Sequence, residues 1–201
     1  MDKSNFLSSF QGDFMRFTKW CLGLVCAMVL GIPALSNAFD IYLTPSKSDE
    51  AIEYGKKYKG KDIFDSKVLK AACFGDYPKG EGGLVMSKYI ETTIVSAMKS
   101  MKDKNITSED VKEIEGSTTF NVVVYIANRF ETPGDVQIIL QQGTNNILPI
   151  KTEFSMRYKD ARQGVVGVFA YDRVDPKSTT TIIIKFNDRQ RKYKIDFSRI
   201  K

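Results

Sequence analysis

The stretch Cys73-Phe74-Gly75-Asp76-Tyr77-Pro78-Lys79-Gly80-Glu81-Gly82-Gly83 holds the chain's densest set of groups that could act on a ligand. It combines a thiol, a cation, carboxylates and four glycines, and a helical pattern follows it. Glycines let a backbone approach a ligand closely, and free N–H groups at a helix start attract anions. Lys79, Gly82 and Gly83 are therefore a candidate anion site. The stretch lacks the Gly-Lys-Ser/Thr ending of a nucleotide-binding loop, and the same glycines equally suit a tight turn that shapes a helix entry. Cys73 follows Leu69-Lys70-Ala71-Ala72 and reads first as a small buried apolar residue. As a nucleophile it would need a neighbouring cation or helix N-terminus to lower its pKa.

No imidazole can assist it, because the 201 residues include no histidine. That excludes Ser-His-Asp and Cys-His catalysis, histidine-bearing zinc sites and histidine pH switches. Three cysteines cannot make a four-thiolate site, so neither a metal nor a cofactor is expected. Paired carboxylates can hydrolyse glycosides without histidine. Glu109, Asp110, Glu113 and Glu115, however, crowd one short helical segment and read as a solvated face. Met86, Met98 and Met101 fit core packing better than thioether ligation, and Phe120, Phe154, Phe169, Phe186 and Phe197 sit on strand periods that suggest core.

Two basic clusters could dock an anionic partner: Lys56, Lys57 and Lys59 around Tyr58, and Arg189, Arg191, Lys192 and Lys194 in a terminal hairpin. Lys185, Arg199 and Lys201 lie nearby. Charge on an edge hairpin also discourages edge-to-edge pairing, so the pattern has a purely structural use as well. Nucleic acid is not expected, since the basic excess is small.

The elements that position these groups divide into three regions. Residues 1–38 carry Arg16 and Lys19, an apolar run from Cys21 to Leu30, helix breakers Gly31 and Pro33, and Ser36-Asn37-Ala38. This is the pattern of a secretory signal peptide cleaved after Ala38, with Met15 as an alternative start. The apolar run is about half the length needed to span a bilayer, so no stable transmembrane span is expected after cleavage. Cleavage removes Trp20 and two of the three cysteines and lowers the net charge of +6 by one. One thiol then remains, which allows no internal disulfide.

Residues 39–116 read as a helical region. Helices are expected from Ser46, over Ser66 to Cys73, from Leu84 to about Lys102, and from Thr107, where Asp110 completes a capping-box spacing. In the third, Met86, Tyr89, Ile90, Ile94, Ala97, Met98 and Met101 form one buried stripe. Residues 117–201 switch to a period of two, with strands over 118–128, 136–140, 147–156, 165–171, 179–187 and 191–197. Phe39 to Leu43 offers a further strand. The run of short strands resembles immunoglobulin-like sandwiches, a resemblance of fold that carries no function by itself.

The expected fold class is thus α+β, an N-terminal helical segment packed on a C-terminal antiparallel β-sandwich. The expected function is an exported, periplasmic or secreted, non-catalytic binding protein of the bacterial envelope that docks a protein or anionic envelope component. A histidine-free hydrolase using carboxylates or Cys73, and a small-ligand or lipid carrier, are the competing classes.

Overall fold

A computed structural model describes residues 39, 41–126, 132–155 and 163–201. The expected signal peptide lies outside the described residues, as do the ends of the expected strands at 128 and 156. The described residues include four helices: α1 (Pro45–Lys56), α2 (Lys67–Ala72), α3 (Lys88–Ser100) and α4 (Ser108–Gly116). Nine strands accompany them: β1 (Cys73–Gly75), β2 (Gly82–Met86), β3 (Thr119–Ile126), β4 (Val136–Gln142), β5 (Asn145–Ile147), β6 (Lys151–Phe154), β7 (Gln163–Ala170), β8 (Thr179–Phe186) and β9 (Arg189–Asp196). All pairings are antiparallel, in a five-stranded sheet of order β1-β2-β3-β7-β6 and a four-stranded sheet of order β5-β4-β8-β9. The protein is α+β. Among the described residues no helix is long and apolar enough to cross a membrane.

Local chemistry sets the helix boundaries. Thr44, Ser66, Ser87 and Thr107 each cap a helix by accepting a backbone N–H through the side-chain oxygen, which satisfies a donor that the first turn leaves orphaned. The capping box at Thr107 and Asp110 forms as its spacing implies. The first helix starts at Pro45, one residue before the expected Ser46, because proline suits a first helical position.

The third helix departs further from expectation. It begins at Lys88 and not at Leu84, because Gly82–Met86 is a strand that pairs with β1 on one side and β3 on the other. The region read as helical therefore contributes two strands to the first sheet. Met98 and Met101 are exposed, at 46% and 50%, and do not belong to a buried stripe. Tyr89, Ile90 and Ala97 of that stripe are buried, and α3 adds Thr92, Thr93, Ser96 and Ser100 to them. Small side chains allow a close crossing with α1, where Ser96 Oγ donates to the Ile52 carbonyl at 2.8 Å. At the crossing, a Cβ on Gly55 would lie 2.4 Å from the Thr93 carbonyl oxygen.

Two strand expectations also change. The segment 147–156 is not one strand: β5 belongs to the four-stranded sheet and β6 to the five-stranded one, with Pro149 between them. Proline lacks the N–H that a continuous ladder would use. Phe39 to Leu43 forms no described strand. Phe39 is a fully buried plug whose N–H donates to the Phe197 carbonyl at 3.2 Å. Its ring meets Phe120 at 4.9 Å, Phe197 at 4.6 Å and Tyr171 at 5.6 Å. Phe197 itself lies in a 3-10 turn after β9.

Gly55→Ala should lower stability by about 1–3 kcal/mol through overpacking, despite alanine's better helix propensity. Gly116→Ala, with open space around its Cβ, should raise stability by about 0.5 kcal/mol. Urea midpoints at unchanged m-value measure both.

Candidate functional site

The hairpin of β8 and β9 turns at Asn187-Asp188, with Asn187 in the left-handed region at φ +48°. The turn sets the register Ile183 to Lys192 and Thr181 to Lys194, and strand alternation then divides the basic cluster between two faces. Arg191, Tyr193 and Ile195 fall on the face of Ile182 and Ile184, which is buried. Lys192 and Lys194 fall on the opposite face, where Lys185 joins them from β8. All three lysines are exposed, and none forms an ion pair among the described residues. Gln137 stands opposite Lys185 on β4, while Ile183, opposite Lys192, and Ile139 beyond it place an apolar centre among the charges.

Asp196 shares this face but is already engaged. Ser198 Oγ donates to it at 2.6 Å and holds its carboxyl below the usual carboxylate range, helped by the Arg199 charge. Arg191 is engaged as well. It forms an ion pair with Glu81, and its guanidinium sits 5.7 Å from the Phe186 ring centroid. Beside it Tyr193 meets Phe74 at 5.3 Å. These contacts fasten the β1–β2 hairpin to β9, and Arg191 acts as a clasp between the sheets. Arg189 is exposed at the turn, opposite Phe186.

The other basic cluster is partly neutralised. Lys56 pairs with Glu53 at 2.8 Å and Lys59 with Asp103 at 2.5 Å, while Lys57 is exposed at the C-terminal end of α1. Cations there also favour the helix dipole.

The candidate anion site is arranged differently from expectation. Gly82 and Gly83 lie within β2, hydrogen-bonded into the sheet, and the start of α3 belongs to Ser87. The glycines do not present N–H groups at a helix N-terminus. Lys79 is exposed in the β1–β2 turn, where Tyr77 stacks on Tyr125 at 5.1 Å. An open groove of about 490 Å³ brings Lys79 and Lys70 together with Asp62, Asp65, Asp76 and Cys73, a mixed-charge lining. Burial pushes the Cys73 thiol up to about 11, so it carries its proton at neutral pH and is a poor nucleophile there.

Two groups gave no signal in the sequence. Glu91 shares a groove with Asp110 and Glu113 between α3, α4 and β3. Burial raises its pKa, and the Glu113 charge adds to this. Asp110 is held at about 2 by Lys99 and by Thr107, so these carboxylates differ sharply in proton affinity. Lys88 is 5% exposed, and its ammonium donates to the Glu115 carbonyl at 2.6 Å and lies 5.4 Å from the Tyr171 ring centroid. It lines an open groove with Tyr42, Ile150 and Tyr171. Both positions look like ordinary helix-surface charges until the neighbouring elements arrive. Among the described residues no cluster of acidic or thiol side chains is arranged to hold a metal ion.

Comparison with protein-family models, curated proteins and solved structures finds no match. Function therefore has to be argued from the side chains.

Alkylation of native Cys73 near pH 8 should be roughly a hundredfold slower than that of a free cysteine, and urea should restore the rate. Because the folded thiol holds its proton more tightly than the unfolded one, its contribution to stability is full below about pH 8.5. It is lost as pH rises through about 11, and Cys73→Ala should remove that component from the pH–stability curve.

Proposed function

We propose that this is an exported, non-catalytic binding protein that docks an anionic component of the bacterial envelope through the open face of its four-stranded sheet. The observation that carries this reading is the trio Lys185, Lys192 and Lys194, exposed on one face with no ion pair among the described residues. A regular strand face presents its charges to an extended surface better than to a small molecule. Export rests on the signal-peptide pattern of residues 1–38. The sandwich arrangement belongs to the same reading. It is supported by one apolar cluster that takes Val124 and Phe169 from the first sheet and Ile138 and Ile184 from the second. Its immunoglobulin-like character rests on the run of short strands alone.

The decisive measurement is cosedimentation with vesicles containing anionic phosphatidylglycerol, against neutral phosphatidylcholine. Each lysine near an anionic membrane contributes about 1 kcal/mol, so Lys185→Gln, Lys192→Gln and Lys194→Gln together should weaken binding roughly a hundredfold. Binding should also fall with added salt. Lys56→Gln with Lys57→Gln should leave it nearly unchanged. Equal binding to both vesicle types, or no effect of the triple substitution, would remove this face as the docking surface.

A further inference from the structure

The four sheet edges are unequally protected. Arg191 and Tyr193 of β9 reach across to Glu81 and Gly75 at the β1 edge, β9 itself carries lysines, and β5 has three residues. Charge, shortness and cover are the usual ways of blocking unwanted strand pairing. The remaining edge, β6, pairs with β7 on one side and with no described strand on the other. The turn Pro133–Asp135 passes beside it without a backbone hydrogen bond to it among the described residues.

The backbone of β6 has a definite polarity. Ser155 N–H donates to the Gly164 carbonyl at 2.8 Å, and Glu153 stands opposite Val166. Ladder groups alternate along a strand, so Lys151, Glu153 and Ser155 direct theirs to β7, while Thr152 and Phe154 direct theirs outward. The side chains alternate too. Lys151 and Glu153 share one face, ion-paired at 2.8 Å, and the opposite face carries Thr152 and Phe154. Phe154 is 39% exposed, and Ile150, just before the strand, 56%.

We propose that β6 is a self-association edge, on which a second copy of the chain pairs antiparallel about a two-fold axis through Thr152. In that register Thr152 and Thr152 of the partner subunit exchange two backbone hydrogen bonds, using groups that already point outward. Lys151 stands opposite the partner's Glu153, and Glu153 opposite the partner's Lys151. Ile150, whose N–H already donates to the Val168 carbonyl, lies outside this pairing, and Phe154 flanks it at each end. Each charge gains an opposite charge across the interface. A one-residue slip to a Glu153-centred axis would oppose like charges and call on backbone groups already committed to β7. The two-fold makes the contact closed, so it joins two five-stranded sheets and stops there.

Four-residue strands bury little surface, which puts the dimer in the weak, transient class, with dissociation on the order of 100 µM. Sedimentation velocity of the chain from 10 µM to 1 mM should show concentration-dependent dimer. Lys151→Glu and Glu153→Lys should each be at least tenfold weaker alone, and mixing the two should restore association, since every facing pair is then opposite in charge. The register is tested by cysteine pairing, with Cys21, Cys26 and Cys73 replaced by serine. A Lys151→Cys chain mixed with a Glu153→Cys chain should cross-link on mild oxidation, because the facing Cα atoms would be about 4.5 Å apart. Neither chain should do so alone. A wild-type chain that stays monomeric at 1 mM overturns the proposal, as does a mixture of charge variants that fails to associate. Cross-linking of either cysteine chain alone, at the rate of the mixture, overturns the register.

Discussion

The rest of the structure depends on how closely β2 approaches its neighbours. A Cβ on Gly83 would lie 2.1 Å from the Val123 carbonyl oxygen and 2.4 Å from Phe74 Cζ, and one on Gly82 would lie 2.1 Å from the Phe74 carbonyl oxygen. Only a bare backbone fits between β1 and β3 at these points. That contact draws a short segment from the helix-rich part of the chain into the five-stranded sheet. It also places Ser87 where it can cap α3, and it brings Phe74 and Glu81 to Tyr193 and Arg191 of β9.

The same arrangement decides what the charged residues can do. Strand parity turns Arg191 toward the buried face, where Glu81 and the Phe186 ring receive it, and leaves Lys185, Lys192 and Lys194 outside. A cluster that is continuous along the chain is thus divided into one structural cation and a basic surface. The glycine-rich stretch undergoes a comparable change of role. Its backbone groups serve the ladder, and its thiol sits in surroundings that favour the protonated form.

Much of the fold was legible along the chain wherever local and tertiary preferences agree. Thr107 and Asp110 form their capping box, and Phe120, Val122, Val124 and Ile126 alternate into the core. The misread elements are those where a distant partner overrides the local pattern. Leu84 and Met86 fit a helical period, but β1 and β3 capture them as a strand. Met98 and Met101 continue an apolar stripe, but α3 meets α1 on its small residues, and that leaves the methionines in solvent. Phe154 keeps the strand period but stays partly exposed on β6, which pairs on one side only among the described residues.

By itself the sequence determined the α+β composition, the capping box at Thr107 and Asp110, and the absence of imidazole chemistry, because these follow from residue type and from spacing over a few positions. Only the tertiary structure decided that Arg191 is a clasp, that Lys88 is a buried cation and Glu91 a half-buried carboxyl of raised pKa, and that β6 pairs on one side only among the described residues. Each of those properties depends on which groups arrive from remote parts of the chain. Burial, pairing and desolvation belong to neighbours in space, and a one-dimensional pattern holds no record of them.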